Sequence, residues 1–120
     1  MDPRPIYQQI AAGIRDQIAE GTLVPGDRAP STNELSAFHS VNPTTSAKAL
    51  TLLFEEGLLE KRRGLGMFVL DGARENILRT RRKHFSECFI RPLLAEAQAI
   101  GLSPADVSAL ITKESDDFTD

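Results

Sequence analysis

Isoleucine falls at positions 6, 10, 14 and 18 with Ala11 beside them, a spacing of four that lines one side of a helix over 6–20. Gly21 closes that helix, and Pro25 and Gly26 supply a turn ahead of Pro30. In STNE, residues 31–34, Ser31 is placed to cap a second helix while Glu34 reaches back to the N–H of the cap, a reciprocal capping box. That helix is short, about 31–39. Asn42 and Pro43 then start a third, which runs to about Glu56, stops at Gly57, and is expected to bury Ala47, Leu50, Leu53 and Phe54. Over 58–70, LLEKRRGLGMFVL, the period changes: two short apolar-containing runs flank RRGLG, whose glycines suit a hairpin turn with positive φ.

From about Gly72 the helical period returns, with Leu78, Phe85, Phe89, Leu93, Ala97 and Ile100 on one face and a bend expected at Pro92. Gly101 ends this long helix, and Ser103 and Pro104 open a last one over 103–113 with Val107, Leu110 and Ile111 on its apolar side. The acidic residues 114–120 are expected to fray into a disordered tail. The predicted fold is mainly α with a small β-hairpin. A winged helix-turn-helix over 1–71 precedes a two-helix C-terminal dimerisation segment over 72–113.

Composition changes this picture only in where its charge lies. The net charge of −3 argues against a nucleic-acid partner until it is divided along the chain. Residues 1–59 hold 4 Lys/Arg against 7 Asp/Glu, residues 60–84 hold 8 against 3, and residues 85–120 hold 2 against 7. A positive segment therefore lies between two acidic ones, and it contains the hairpin. Cys88 is the single cysteine and can form no internal disulfide. With no signal-peptide pattern and no long apolar run, the chain is expected to be cytoplasmic, with no membrane association. No cofactor and no metal ligand set is expected, and with His39 and His84 isolated and no nucleophile or phosphate-loop motif, neither is catalysis.

Candidate chemistry gathers at the third helix. A helix N-terminus offers backbone N–H groups and a positive dipole end to phosphate. Thr44, Thr45 and Ser46 follow Asn42–Pro43 where better helix formers would be expected, and small hydroxyl side chains let such a helix come close to DNA. Alternatively Asn42 only caps and the threonines are solvated. The hairpin tip, KRRG from Lys61 to Gly64, suits a wing against a minor groove or the phosphate backbone, or else is a solvated turn. The run Arg79 to Lys83 is either a solvated helix face near DNA, which is favoured, or a partner for acidic groups of another subunit.

Residues 5–70 resemble the DNA-binding domain of the GntR family of bacterial transcription regulators. PIYQQIAAGI, VPGDRAPSTNEL, VNPTTSAKAL and EEGLLEKRRGLGMFV carry the resemblance, in the family's order. The VNPTT form and a tail of about 50 residues resemble its YtrA-type subfamily, which has a short helical dimerisation region. The resemblance implies contacts with double-stranded DNA at Ser31, Thr32 and Asn33, at Asn42, Thr44, Thr45, Ser46 and Lys48, and at Arg62, Arg63 and Gly64. The chain departs from the family pattern at three positions: Asn33, commonly arginine; Ser46, often valine; and Leu65, often basic.

The expected function is a sequence-specific transcription regulator, a dimeric repressor on a palindromic operator released by a small effector. A winged helix that binds proteins without specific DNA binding is the alternative. Leu78, Phe85, Phe89, Leu93, Leu94, Val107, Leu110 and Ile111 form more apolar surface than two helices of one chain can cover, so they are expected at a homodimer interface. The effector is expected near Phe85, Cys88, Phe89 and Pro92, where a bend beside aromatics can leave a cavity.

Overall fold

The isoleucine stripe forms α1 (Ile6–Glu20), which buries Ile10, Ala11, Ile14 and Ile18 and leaves Ile6 exposed. The computed structural model in which this is seen describes residues 2–118. Gly21, at φ 87°, ends α1 in the left-handed conformation that costs glycine little, and the next two residues return N–H groups to the carbonyl of Gln17. Helices α2 (Thr32–His39) and α3 (Pro43–Glu55) follow, joined through Ser40, which is left-handed at φ 56°. Strands β1 (Leu59–Arg62) and β2 (Gly66–Val69) pair antiparallel with Leu59 opposite Val69 and Arg62 opposite Gly66.

The segment between α1 and α2 is more than a turn. Gly26 N–H donates to Val69 O at 2.9 Å, Val69 N–H to Asp27 O at 2.9 Å, and Ala29 N–H to Met67 O at 2.8 Å, with Arg28 bridging Phe68. This lays a short third edge beside β2 and braces the hairpin from behind. The bidentate Arg15–Glu56 pair, at 2.8 and 2.6 Å, ties α1 to the end of α3.

Helix α4 (Ala73–Phe85) begins in the same unit: Ala73 and Ile77 are buried in the core with Ile14, Leu53, Leu58 and Val69, and Arg74 Nε donates to Ala19 O at 3.0 Å. The compact N-terminal unit therefore extends to Arg79, not to 71, because the first two turns of α4 close its core. Ile77, rather than the half-buried Leu78, supplies the contact.

The second unit starts at Thr80. A π-helical segment, Ser86–Ile90, separates α4 from α5 (Arg91–Ala99), with Arg91 N–H bonded to Ser86 O five residues back. Pro92 explains it: proline has no N–H for the carbonyl of Cys88 and its ring crowds that carbonyl, and a wider turn relieves the clash. Helix α6 (Pro104–Phe118) is capped by Ser103 and Asp106, which exchange hydrogen bonds at 3.1 and 2.9 Å. It runs to Phe118, so residues 114–118 are helical rather than a disordered tail, as no proline or glycine interrupts them; 119–120 lie outside the described residues. Among the described residues of this unit only Ala97 and Val107 are buried.

Candidate nucleic-acid interface

The capping box at α2 is complete: Ser31 Oγ accepts from Glu34 N–H at 3.1 Å and Glu34 Oε1 accepts from Ser31 N–H at 3.0 Å. The Ser31 N–H bonded to the ionised carboxylate, with the Ser31 hydroxyl beside it, holds Glu34 below its ordinary pKa. The two bonds fix the start of α2, where Thr32 is half-buried and Asn33 exposed. At α3 Asn42 Oδ1 accepts from both the N–H and the hydroxyl of Thr45, at 2.9 and 3.2 Å, so Thr45 is turned back onto the cap.

The buried side of α3 consists of Ser46, Ala49, Leu50 and Leu53, spaced i, i+3, i+4, i+7. Ser46 is fully buried and its hydroxyl shares a 2.8 Å hydrogen bond with that of Ser36 on α2. Its expected contact with DNA is therefore overturned: the side chain joins α2 to α3 and presents nothing outward. Ala47 and Phe54, expected in the core, are exposed. The outward stripe of α3 is Thr44, Ala47, Lys48 and Thr51, rotated from the one the hydroxyl run implied. Lys48 places its ammonium 4.2 Å from the centroid of the Tyr7 ring, which holds the cation beside α1.

The start of α2, the outward face of α3 and the wing converge on one groove of about 460 Å³. Ser31, Thr32, Asn33, Ala47, Thr51 and Arg62 are among its lining residues, and Gly64 and Arg28 complete it at the wing side. Asn42, Thr44, Thr45 and Lys48 lie along α3 outside that lining, and Arg63 is exposed at the hairpin tip. Arg62 is turned back along its strand, with Nε donating to Glu60 Oε1 at 2.7 Å and its guanidinium 4.2 Å over the Phe68 ring. Among the described residues no carboxylate pairs with Lys61 or Arg63, leaving both cations available. Hydroxyl, amide and cationic groups on one concave face can donate to phosphate oxygens and exchange hydrogen bonds with base edges.

Sequence reasoning missed Ala47, Thr51 and Arg28. The first two follow from the helical period once Ser46 is counted as a core position. Arg28 becomes relevant only through the bridge to Phe68, which nothing local announces.

A sequence profile described as bacterial regulatory proteins, gntR family, matches residues 6–69, spanning α1 to the end of the hairpin. This chain belongs to the GntR family. The YtrA repressor of Bacillus subtilis strain 168 is 31% identical over 105 residues, covering 85% of this chain and 80% of that protein. A GntR-family regulator from Listeria monocytogenes matches in structure with a TM-score of 0.75 at 30% identity, covering 94% of this chain and 97% of the other. The AraR DNA-binding domain, solved in complex with its operator ORX1, matches with a TM-score of 0.54 at 32% identity over 57% of this chain and 89% of that one. Two longer Escherichia coli K12 regulators match only about 70 residues, and the chain spans 29% and 26% of their lengths. The first unit is thus the winged-helix DNA-binding domain of a GntR transcription regulator, and the relatives are regulators rather than enzymes.

The other expected sites lie in the second unit, Leu78 excepted. Phe85 and Phe89 are exposed, with ring centroids 5.6 Å apart, and Leu93, Leu94, Leu110 and Ile111 are exposed as well. Val107 is the correction in this set: it is buried within its own chain, where α5 and α6 meet. Cys88 Sγ lies 3.3 Å from His84 Nε2, one helical turn away. Phe85, Cys88, Phe89 and Pro92 are all exposed, so in one chain they enclose no cavity. An apolar groove of about 520 Å³ lies instead between α5 and α6, lined by Leu93, Ala97, Leu102, Val107, Leu110 and Ile111 among others. Among the described residues no group of three or more His, Cys, Asp or Glu is placed to hold a metal ion, and no helix is long and apolar enough to cross a membrane.

Proposed function

We propose that this GntR regulator is a cytoplasmic homodimeric repressor whose paired winged helices bind a palindromic operator in double-stranded DNA. Support for the DNA face comes from one observation: the start of α2, the outward stripe of α3 and the wing surround a single groove. On this reading Ser31, Thr32, Asn33, Asn42, Thr44, Lys48, Arg62, Arg63 and Gly64 contact DNA, with Thr45 holding the cap and Ala47 and Thr51 added from the outward stripe. AraR supports it as a relative captured on its operator, and the YtrA repressor of Bacillus subtilis supports repression.

The dimer is supported by the second unit, where two buried side chains stand against exposed Phe85, Phe89, Leu93, Leu94, Leu110 and Ile111. A second copy laid on that face buries it and sets two α3 helices at half-sites about 34 Å apart, or a multiple of that spacing. A small effector near Phe85, Cys88, Phe89 and Pro92 would then bind in a pocket closed by the partner, since one chain leaves these residues open.

Selecting bound sequences from a random DNA pool, then measuring affinity across a salt series and mass by light scattering, tests the proposal. A palindromic consensus, a steep salt slope and a dimer mass are expected. A monomer at micromolar concentration overturns the dimer. The net charge of −3 favours a protein-interaction module instead, and salt-insensitive binding with no enriched sequence is the outcome that supports it.

A further inference from the structure

We propose that Leu65 is the residue through which the wing reads DNA, by apolar contact inside the minor groove rather than by charge or base-edge hydrogen bonds. The inference rests on the DNA-binding reading above and adds what kind of sequence the wing selects. Arg62 and Gly66 close the hairpin, so Arg63, Gly64 and Leu65 make its tip, with Leu65 N–H donating to Arg62 O at 2.9 Å. Gly64 and Gly66 flank the leucine at φ 77° and 114°. Leu65 is 63% exposed, whereas Met67 and Phe68 on β2 are half-buried and Val69 is buried.

A single exposed leucine is ordinary on a protein surface. Its presentation is what distinguishes this one. The hairpin behind it is clamped by the 26–29 edge, and Arg28 Nε lies 3.0 Å from where a Cβ on Gly66 would stand, so the arginine packs against the glycine backbone directly below the tip. Any side chain at 66 would push Arg28 away. Meanwhile Arg62 is drawn back onto Glu60 and Phe68, leaving Arg63 as the cation of the tip itself. The tip thus stands on a braced hairpin, and its last residue, beside the central Gly64, carries an isobutyl group.

That group has no donor or acceptor. Within a minor groove it can touch sugar walls and wedge against a base step, partly unstacking it, which is easiest at flexible pyrimidine–purine steps. The wing would then favour a TA or CA/TG step at the place it reaches, independently of the bases met by α3.

The test uses the full chain and DNA that the wild-type protein has selected from a random pool. Leu65→Ala is expected to bind about tenfold more weakly at fixed salt, on the scale of one lost base-pair match, with the salt slope unchanged. Permanganate reactivity of thymines at the wing-contacted step, enhanced by wild-type protein, should fall to the level of free DNA. Leu65→Arg should recover affinity at low salt and steepen the slope by about one phosphate, without recovering the step preference. Equal affinity and equal step preference for wild type and Leu65→Ala overturn the inference while leaving the operator reading intact. Failure of the wild-type protein to enrich any DNA overturns the DNA-binding reading itself.

Discussion

Up to Arg79, apolar side chains from α1 to α4 and the hairpin turn toward one another: Ile10, Ile18, Leu53, Leu58 and Leu59 are almost fully buried. From Thr80 onward the helices are equally well formed, yet among the described residues only Ala97 and Val107 are buried and the larger apolar side chains are exposed. Helix formation and core formation are thus separate achievements, and only the first unit has both within one chain. The first unit has what an independent fold needs. The second leaves its larger apolar side chains uncovered, and on the proposed reading a second copy covers them.

The sharpest way to break that contrast is to charge the open face. Ile111→Arg is expected to convert the dimer to monomer by light scattering and to weaken operator binding at least about a hundredfold, by loss of two-site attachment. Unfolding of the first unit should be little changed. Persistence of the dimer would show that the apolar face of α6 is not the contact.

Next in size is Leu53→Ala, a deletion in a closed core, expected to cost about 2–5 kcal/mol in denaturant unfolding. Leu94→Ala, at a position 41% exposed in one chain, should cost under about 1 kcal/mol in the monomeric Ile111→Arg background. Similar costs at both positions would erase the distinction between the units.

A smaller effect separates neighbours on α3. Ser46→Ala removes the Ser36–Ser46 bond and should lower stability by about 1 kcal/mol with operator preference unaltered. Thr44→Ala should do the reverse, and a shift in selected sequence caused by Ser46→Ala would place that residue back at the DNA.

The smallest effect concerns the two capping carboxylates. Hydrogen bonds from Ser31 and from Ser103 hold Glu34 and Asp106 below their ordinary pKa values. A depressed folded value means their contribution is complete above the ordinary carboxylate range and disappears as pH falls through the folded values. Helicity by circular dichroism should therefore drop in acid. In the monomeric background Asp106→Asn should flatten that response more than Glu34→Gln, because α2 is held by a core and α6 is not. Equal flattening would contradict the contrast.

Much of the N-terminal unit was legible because its signals are local. The isoleucine spacing, the Ser31–Glu34 box and the Asn42–Pro43 start each act within a few residues, and each stands in the structure as expected. The edge formed by residues 26–29 was not legible, since it depends on β2 some forty residues later. Ser46 was misplaced for a chemical reason: serine counts as polar in a periodicity, and only the partner hydroxyl of Ser36 lets it sit inside. The same blindness hid Ala47 and Thr51, which follow once Ser46 is turned inward. In the second unit the apolar positions were visible, but sequence could not say that Val107 would find cover within its own chain while Leu110 and Ile111 would not.

The π-helical turn at Ser86–Ile90 sets a phase. An α-helix advances about 100° per residue, so a wide turn that takes up one extra residue within a single revolution lets the helix after it keep the angular phase of the helix before it. Deleting a single residue there would relax the turn to α and leave Leu93 and Leu94 on the same side relative to Phe85, whereas converting the turn to α with every residue kept, as replacing Pro92 would permit, would swing them about a quarter turn. Proline at 92 thus decides which side chains a partner meets, and a chain of the same length without it would present a differently turned surface of nearly the same composition.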